Sequence, residues 1–156
     1  MTRRPFQHIA DEFDLDIALR NKMIETLRNM AYSLPMHPYP DYTHIRTIPL
    51  DKFLVTTGFM KLQMSKVKML GIEDDFKAVH IVDPDVSRKT KKDVFAEIMQ
   101  THHYQPEELL VIGDDPESEI KAAKAGGMET LLREPGNKYT DAQATYRAGN
   151  LKEVLN

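Results

Sequence analysis

Two apolar runs in the chain end on residues suited to phosphate or metal chemistry. Phe53-Leu54-Val55 stops at Thr56-Thr57-Gly58, and Leu109-Leu110-Val111-Ile112 stops at Gly113-Asp114-Asp115. Threonines at the mouth of a strand offer an anion both hydroxyl and backbone N–H hydrogen bonds, and Gly58 lets a ligand come close. A carboxylate such as Asp114, beside a glycine at a strand's carboxyl edge, suits a hard cation such as Mg²⁺. Local structure explains part of this pattern. Asp115 can cap the following helix, Pro116 can take its first position, and Glu117 and Glu119 favour its positive end, but Asp114 is left without a structural reason. A third cluster, Arg88, Lys89, Lys91 and Lys92, surrounds the start of a helix capped by Thr90, with Asp93 as the capping-box acid. Cations there oppose the helix dipole unless an anion lies nearby, which points to phosphate. The plainer reading is a solvated basic patch balanced by Asp83, Asp85 and Asp93.

The elements that must hold these residues alternate in period. From Phe6 to Leu34 apolar residues recur at helical spacing through Phe13, Ile17, Ile24, Leu27, Ala31 and Leu34, and Asp16 is placed to cap the second of two helices. Pro35, Pro38, Pro40 and Pro49 stiffen a connector in which residues 41–47 form a short helical turn. Strands are then expected at 52–57, 78–82 and 109–112, with weaker ones at 129–132 and 144–147. Helices are expected at 59–70, closed by Gly71, at 90–103, at 118–125, stopped by Gly126-Gly127, and at 151–155. This alternation predicts an α/β fold: a Rossmann-like, mostly parallel sheet of four to five strands with helices on both faces. Met60, Met64, Met69 and Met99 are expected to fill core gaps, and no histidine is read as a metal ligand.

Composition narrows the function classes. The 156 residues suit a single domain, with a helical segment at 1–37 and an α/β core at 38–156. A net charge of −3 with dispersed basic residues gives a nucleic-acid partner no support, while a small anion remains compatible. The absence of cysteine removes disulfides, thiolate metal sites and thiol nucleophiles. No apolar stretch approaches membrane-spanning length, and polar residues from Gln7 to Glu12 leave no signal peptide to draw, so the expectation is a cytoplasmic protein without a membrane partner.

Taken in order, these motifs resemble those of the haloacid dehalogenase superfamily of phosphatases and related hydrolases. The family's second motif is an apolar strand ending in Thr or Ser, matched by Leu54-Val55-Thr56-Thr57-Gly58. Its third is a Lys opening a helix six residues before an apolar residue, a relation in which Lys89 stands to Phe95, although the usual following Pro is Thr90. Its fourth is an apolar strand, Gly-Asp, a second acid five residues on and a small-residue helix, matched by 109–112, Gly113-Asp114, Glu119 and 120–127. The resemblance implies that Thr56, with Thr57 and Gly58, binds the phosphoryl oxygens, that Lys89 neutralises charge, and that Asp114 binds Mg²⁺ with Glu119 as a further or water-mediated contact. It implies a Mg²⁺-dependent phosphatase-type scaffold acting on a small phosphorylated metabolite.

The first motif departs from the pattern. In this family an Asp at the end of a first strand attacks phosphorus, and an Asp two residues later serves as acid and base. Phe13-Asp14-Leu15-Asp16 imitates that spacing, but Ile17 and Ala18 follow it, and Gln7, His8, Asp11 and Glu12 precede it where a buried strand is needed. The helical reading is preferred, residues 6–34 resemble the family's helical cap, and the chain is expected to begin downstream of the nucleophile. Without the central first strand, the strands of the second and fourth motifs must pair directly, or the N-terminal segment or another chain must fill the slot, so a homo-oligomer is an open alternative. Two further functions stay open: a non-catalytic phosphate- and Mg²⁺-binding or regulatory module, and a receiver-like signalling domain.

Overall fold

The computed structural model describes residues 6–136 and 138–155. In chain order the elements are α1 (Phe6–Glu12), α2 (Ile17–Asn29), α3 (Tyr42–Arg46), β1 (Phe53–Thr57), α4 (Met60–Leu70), β2 (Ala78–Val82) and α5 (Lys91–His102). These are followed by β3 (Leu110–Gly113), a π-helical turn (Pro116–Ile120), α6 (Lys121–Ala125), β4 (Glu129–Arg133) and β5 (Tyr146–Ala148). Short 3-10 turns occupy Glu73–Asp75, Pro106–Glu108 and Leu151–Leu155. The fold is α/β, and every strand pairing among the described residues is parallel.

The strands form two ladders, β1–β2 and β3–β4–β5. The described part of the N-terminal segment forms helices and adds no strand to either ladder. Contacts divide the chain into two compact units. One comprises the segment up to His37 together with Asp51–Lys89, and the other Pro38–Leu50 together with Thr90 onward.

In the first unit, Asp16 caps α2 by accepting the N–H groups of Ala18 and Leu19 at 2.9 and 3.2 Å. The helix buries no residue completely, because its apolar positions are interrupted by charge. Two polar contacts tie this segment down: Tyr32 N–H donates to the Ser65 hydroxyl at 2.6 Å, and Arg28 makes a two-pronged bond to Asp85. Strands β1 and β2 run in register from Phe53↔Ala78 to Thr57↔Val82. Helix α4 connects them and stops at Gly71, whose φ of +62° is the left-handed conformation that a glycine adopts without strain. Phe59, Val67, Ile72 and Val82 are buried in this unit. Two of the methionines expected inside, Met60 and Met69, are instead exposed; they are the first and the last residue but one of α4, near its two ends.

In the second unit, Val94, Phe95 and Ile98 of α5 are buried, as are Ile120, Ala123, Leu131 and Leu132. Helix α5 has the full capping box: Thr90 N–H donates to Asp93 Oδ2 at 2.7 Å, and Asp93 N–H donates to the Thr90 hydroxyl at 3.4 Å. Strand β5 begins at Tyr146, two residues later than its sequence pattern indicates. The reason lies at Thr130 and Thr145, each of which gives its backbone N–H to the other's hydroxyl and so replaces the ladder at that point. Asp41 Oδ2, just ahead of α3, accepts from Arg133 and from the N–H of Leu151, fixing the proline-rich connector to both β4 and the C-terminal turn.

Candidate functional site

The first unit holds the anion-binding candidates at the carboxyl end of β1. Thr56 and Thr57 are its last two residues, half-buried, and face opposite sides of the ladder. Gly58 extends the ladder by donating its N–H to Val82 O at 3.0 Å. Its φ is +149°, and a Cβ there would lie 2.3 Å from Gln63 Nε2, so glycine is required. Gln63 holds that position because its amide donates to Thr57 O at 3.0 Å. Gly58 therefore shapes the turn while its own N–H is spent on the ladder.

One residue missing from the sequence-based set stands beside this turn. Asp83, directly after β2, is buried; its Oδ2 accepts Met60 N–H at 2.8 Å and its Oδ1 accepts Asp85 N–H at 2.9 Å. Phe59, the residue before α4, has no side chain that can cap the helix, and Asp83 supplies the acceptor from another strand end. An acid directly after an apolar strand is the same signal that singled out Asp114, and applied evenly it finds Asp83. Lys89 lies beyond the turn that follows, exposed and ahead of the Thr90 cap, with its N–H donated to the Ser87 hydroxyl at 3.3 Å.

The second unit brings Asp114 and Glu119 together at the carboxyl end of β3. Asp114 is exposed there, and its N–H and that of Asp115 both donate to Glu119 Oε1, at 3.1 and 3.2 Å. The other Glu119 oxygen is paired with Lys91 Nζ at 2.5 Å. Gly113 makes room for this arrangement, since a Cβ there would fall 2.0 Å from Glu119 Cγ. Burial disfavours the Glu119 anion, but the Lys91 ammonium and the loop N–H groups outweigh it and hold the carboxyl below the usual range. Of the cations at the start of α5, Lys91, the first helical residue, has Glu119 as its anion. Asp115 caps the turn after β3 as expected, accepting Glu117 N–H at 3.0 Å.

The imitation of the first motif is a helix–helix turn. Asp14 sits at φ +47° between α1 and α2, and Asp16 is the α2 cap, so neither stands at a strand end. No group of three or more His, Asp or Glu side chains among the described residues is arranged to hold a metal ion.

The family model for haloacid dehalogenase-like hydrolases matches residues 9–127. A glyceraldehyde 3-phosphate phosphatase of Pyrococcus furiosus is 30% identical over 94 residues, covering 60% of this chain and 39% of that protein. A phosphoserine phosphatase of Thermus thermophilus is 27% identical over 104 residues, covering 65% of this chain and 42% of that protein. The chain thus spans less than half the length of these curated relatives. Among solved structures, a HAD phosphatase of Thermococcus onnurineus superposes with a TM-score of 0.64 at 22% identity, covering 96% of this chain and 68% of that one. A HAD-hydrolase of Bacillus subtilis bound to magnesium gives 0.62 at 22% identity, covering 73% and 52%. With the family model matched over residues 9–127, well over half of the chain, the chain belongs to the haloacid dehalogenase-like hydrolases.

Proposed function

We propose that the chain is a phosphatase-type scaffold that binds the phosphoryl group of a small phosphorylated metabolite together with Mg²⁺. The observation that carries this reading is the loop after β3, where Glu119 gathers two backbone N–H groups and Lys91 while the Asp114 carboxylate stands at the strand's edge. Mg²⁺ keeps several waters and is commonly held by one or two carboxylates plus phosphate oxygens, so a single strand-end carboxylate fits it. Asp114 would be its protein ligand. Both Glu119 oxygens are engaged by the protein, so Glu119 acts on the metal by holding the loop. Bound there, the ion would supply charge stabilisation to phosphoryl transfer. The Thr56 hydroxyl and the Thr57 N–H hydrogen-bond the phosphoryl oxygens, Gly58 leaves them room, and Lys89 neutralises charge.

Turnover requires a nucleophilic carboxylate, and neither Asp14 nor Asp16 is held at a strand end. The chain therefore binds its ligand and hydrolyses it only when that carboxylate is supplied. The placement of Asp14 favours the second reading, a phosphate- and Mg²⁺-binding module that performs no chemistry. Assaying the chain with glyceraldehyde 3-phosphate, phosphoserine and other small monoesters, with and without Mg²⁺, separates the two. Saturable binding without turnover is expected. Robust turnover abolished by Asp14→Asn would overturn the assignment of the nucleophile.

A further inference from the structure

The first unit contains a polar chain that none of the family's motifs accounts for. It starts at Arg28 on α2, whose Nε and Nη2 donate to the two Asp85 oxygens at 2.7 and 3.1 Å. Asp85 N–H donates to Asp83 Oδ1, and Asp83 Oδ2 receives the N–H of Met60, the first residue of α4. One residue before Asp83, Val82 O receives Gly58 N–H. The turn Thr57-Gly58-Phe59 is thus fastened at both ends to the end of β2: by Val82 O on the strand side and by the Asp83 carboxylate on the helix side.

A buried carboxylate is costly unless its lone pairs are satisfied, and here peptide N–H groups satisfy both oxygens. The Asp83 backbone carbonyl adds further anchoring by accepting from Val86 and Ser87 N–H at 3.1 Å each, which closes the loop carrying Asp85. We infer that Asp83 is a positioning residue of the anion site: it sets the Thr57-Gly58-Phe59 turn against β2 and, through Asp85, joins that turn to Arg28 on the helical N-terminal segment. The inference rests on the proposed phosphoryl-binding role of Thr56 and Thr57 and deepens it, because it makes anion affinity depend on how α2 is held. Arg28 is more than half exposed while Asp85 is largely covered, so the outer link is the weaker one and Asp83 the stronger.

The test uses the full chain, with backbone amide exchange followed residue by residue and inorganic phosphate as probe. Asp83→Asn keeps the shape but turns one acceptor into a donor facing an N–H. It is expected to raise exchange at Met60 and Gly58 about tenfold while leaving Val55 unchanged, and to weaken phosphate binding about tenfold. Arg28→Met is expected to weaken phosphate binding about twofold alone and not at all in the Asp83→Asn background, because both act through one chain of bonds. Asp83→Glu, longer by one methylene but still an acceptor pair, is expected to restore part of both losses. Unchanged Gly58 exchange in Asp83→Asn overturns the inference whatever phosphate does. So does normal phosphate affinity in a variant whose turn has loosened. If the unaltered chain binds no phosphate, the anion-site reading fails, and with it the claim that Asp83 serves that site, while a loosened Gly58 would still assign Asp83 to the turn.

Discussion

Lys91 Nζ and Glu119 Oε2 stand 2.5 Å apart, their side chains only 15% and 13% exposed, and the second Glu119 oxygen collects the N–H groups of Asp114 and Asp115. A helix-start lysine is thereby joined through one carboxylate to the loop that presents Asp114. Removing either partner leaves the other as a covered, uncompensated charge. Glu119→Ala is expected to cost about 3–5 kcal/mol of unfolding free energy in urea titration. Lys91→Met should cost a comparable amount, and the double variant clearly less than the sum of the two.

Gly113 should report on the same carboxylate sterically. Gly113→Ala puts a methyl group 2.0 Å from Glu119 Cγ, forcing the side chain out of its nest. Denaturant unfolding is expected to show a loss of about 1–3 kcal/mol in the native background. In the Glu119→Ala background most of that penalty should vanish, since the clashing atoms are gone.

Acid should loosen this loop with a defined sign. The folded-state Glu119 carboxyl titrates below its unfolded value, because Lys91 and the loop N–H groups outweigh the burial that opposes ionisation. Its contribution is therefore present above the ordinary glutamate value of about 4.3 and is lost as pH falls through the depressed folded value. Asp41 has the same sign: burial raises it, but Leu151 N–H and Arg133 outweigh that and lower it. Unfolding free energy measured from pH 7 to pH 2 should fall on the acid side, and Glu119→Gln should flatten part of that fall.

Asp41 is the corresponding test of the C-terminal turn. Asp41→Ala removes the acceptor shared by Arg133 and Leu151 N–H, and about 2–3 kcal/mol of destabilisation is expected. Amide exchange should rise first at Leu151, before the β4 core around Leu132 responds.

The alternation of strand and helix was legible because the hydrophobic period switches along the chain, and strand 78–82 matches its sequence pattern residue for residue. Helix ends marked by local chemistry were legible too: Asp16, the Thr90–Asp93 box and Gly71 all act as their residue types indicate. What escaped depends on distant partners. The α5 helix ends on His103 at φ +59°, a conformation for which the sequence offers no glycine signal. The π-helical turn over Pro116–Ile120 has no periodicity of its own, and it is the segment from which Glu119 reaches back to the loop N–H groups. Lys91 and Asp83 escaped for a similar reason. Nothing in the spacing of Lys89, Lys91 and Lys92 says which cation turns inward, and Asp83 was absorbed into a charge balance when its real partners are backbone N–H groups.

Thr56 offers the simplest probe of the anion site. Thr56→Val preserves β-branching in β1 and should leave stability within about 1 kcal/mol, whereas loss of the hydroxyl should weaken phosphate binding about tenfold or more. Calorimetric titration of the two chains with inorganic phosphate measures the difference.

The most direct measurement is a phosphate titration of the full chain, followed by backbone amide shifts, in the presence and absence of Mg²⁺. Saturable shifts at Thr57 and Gly58 and at Asp114 and Asp115 are expected, strengthened by Mg²⁺ and weakened by Thr56→Val, Lys89→Met and Asp114→Asn. Absence of saturable shifts, or shifts indifferent to all three substitutions, would contradict the account.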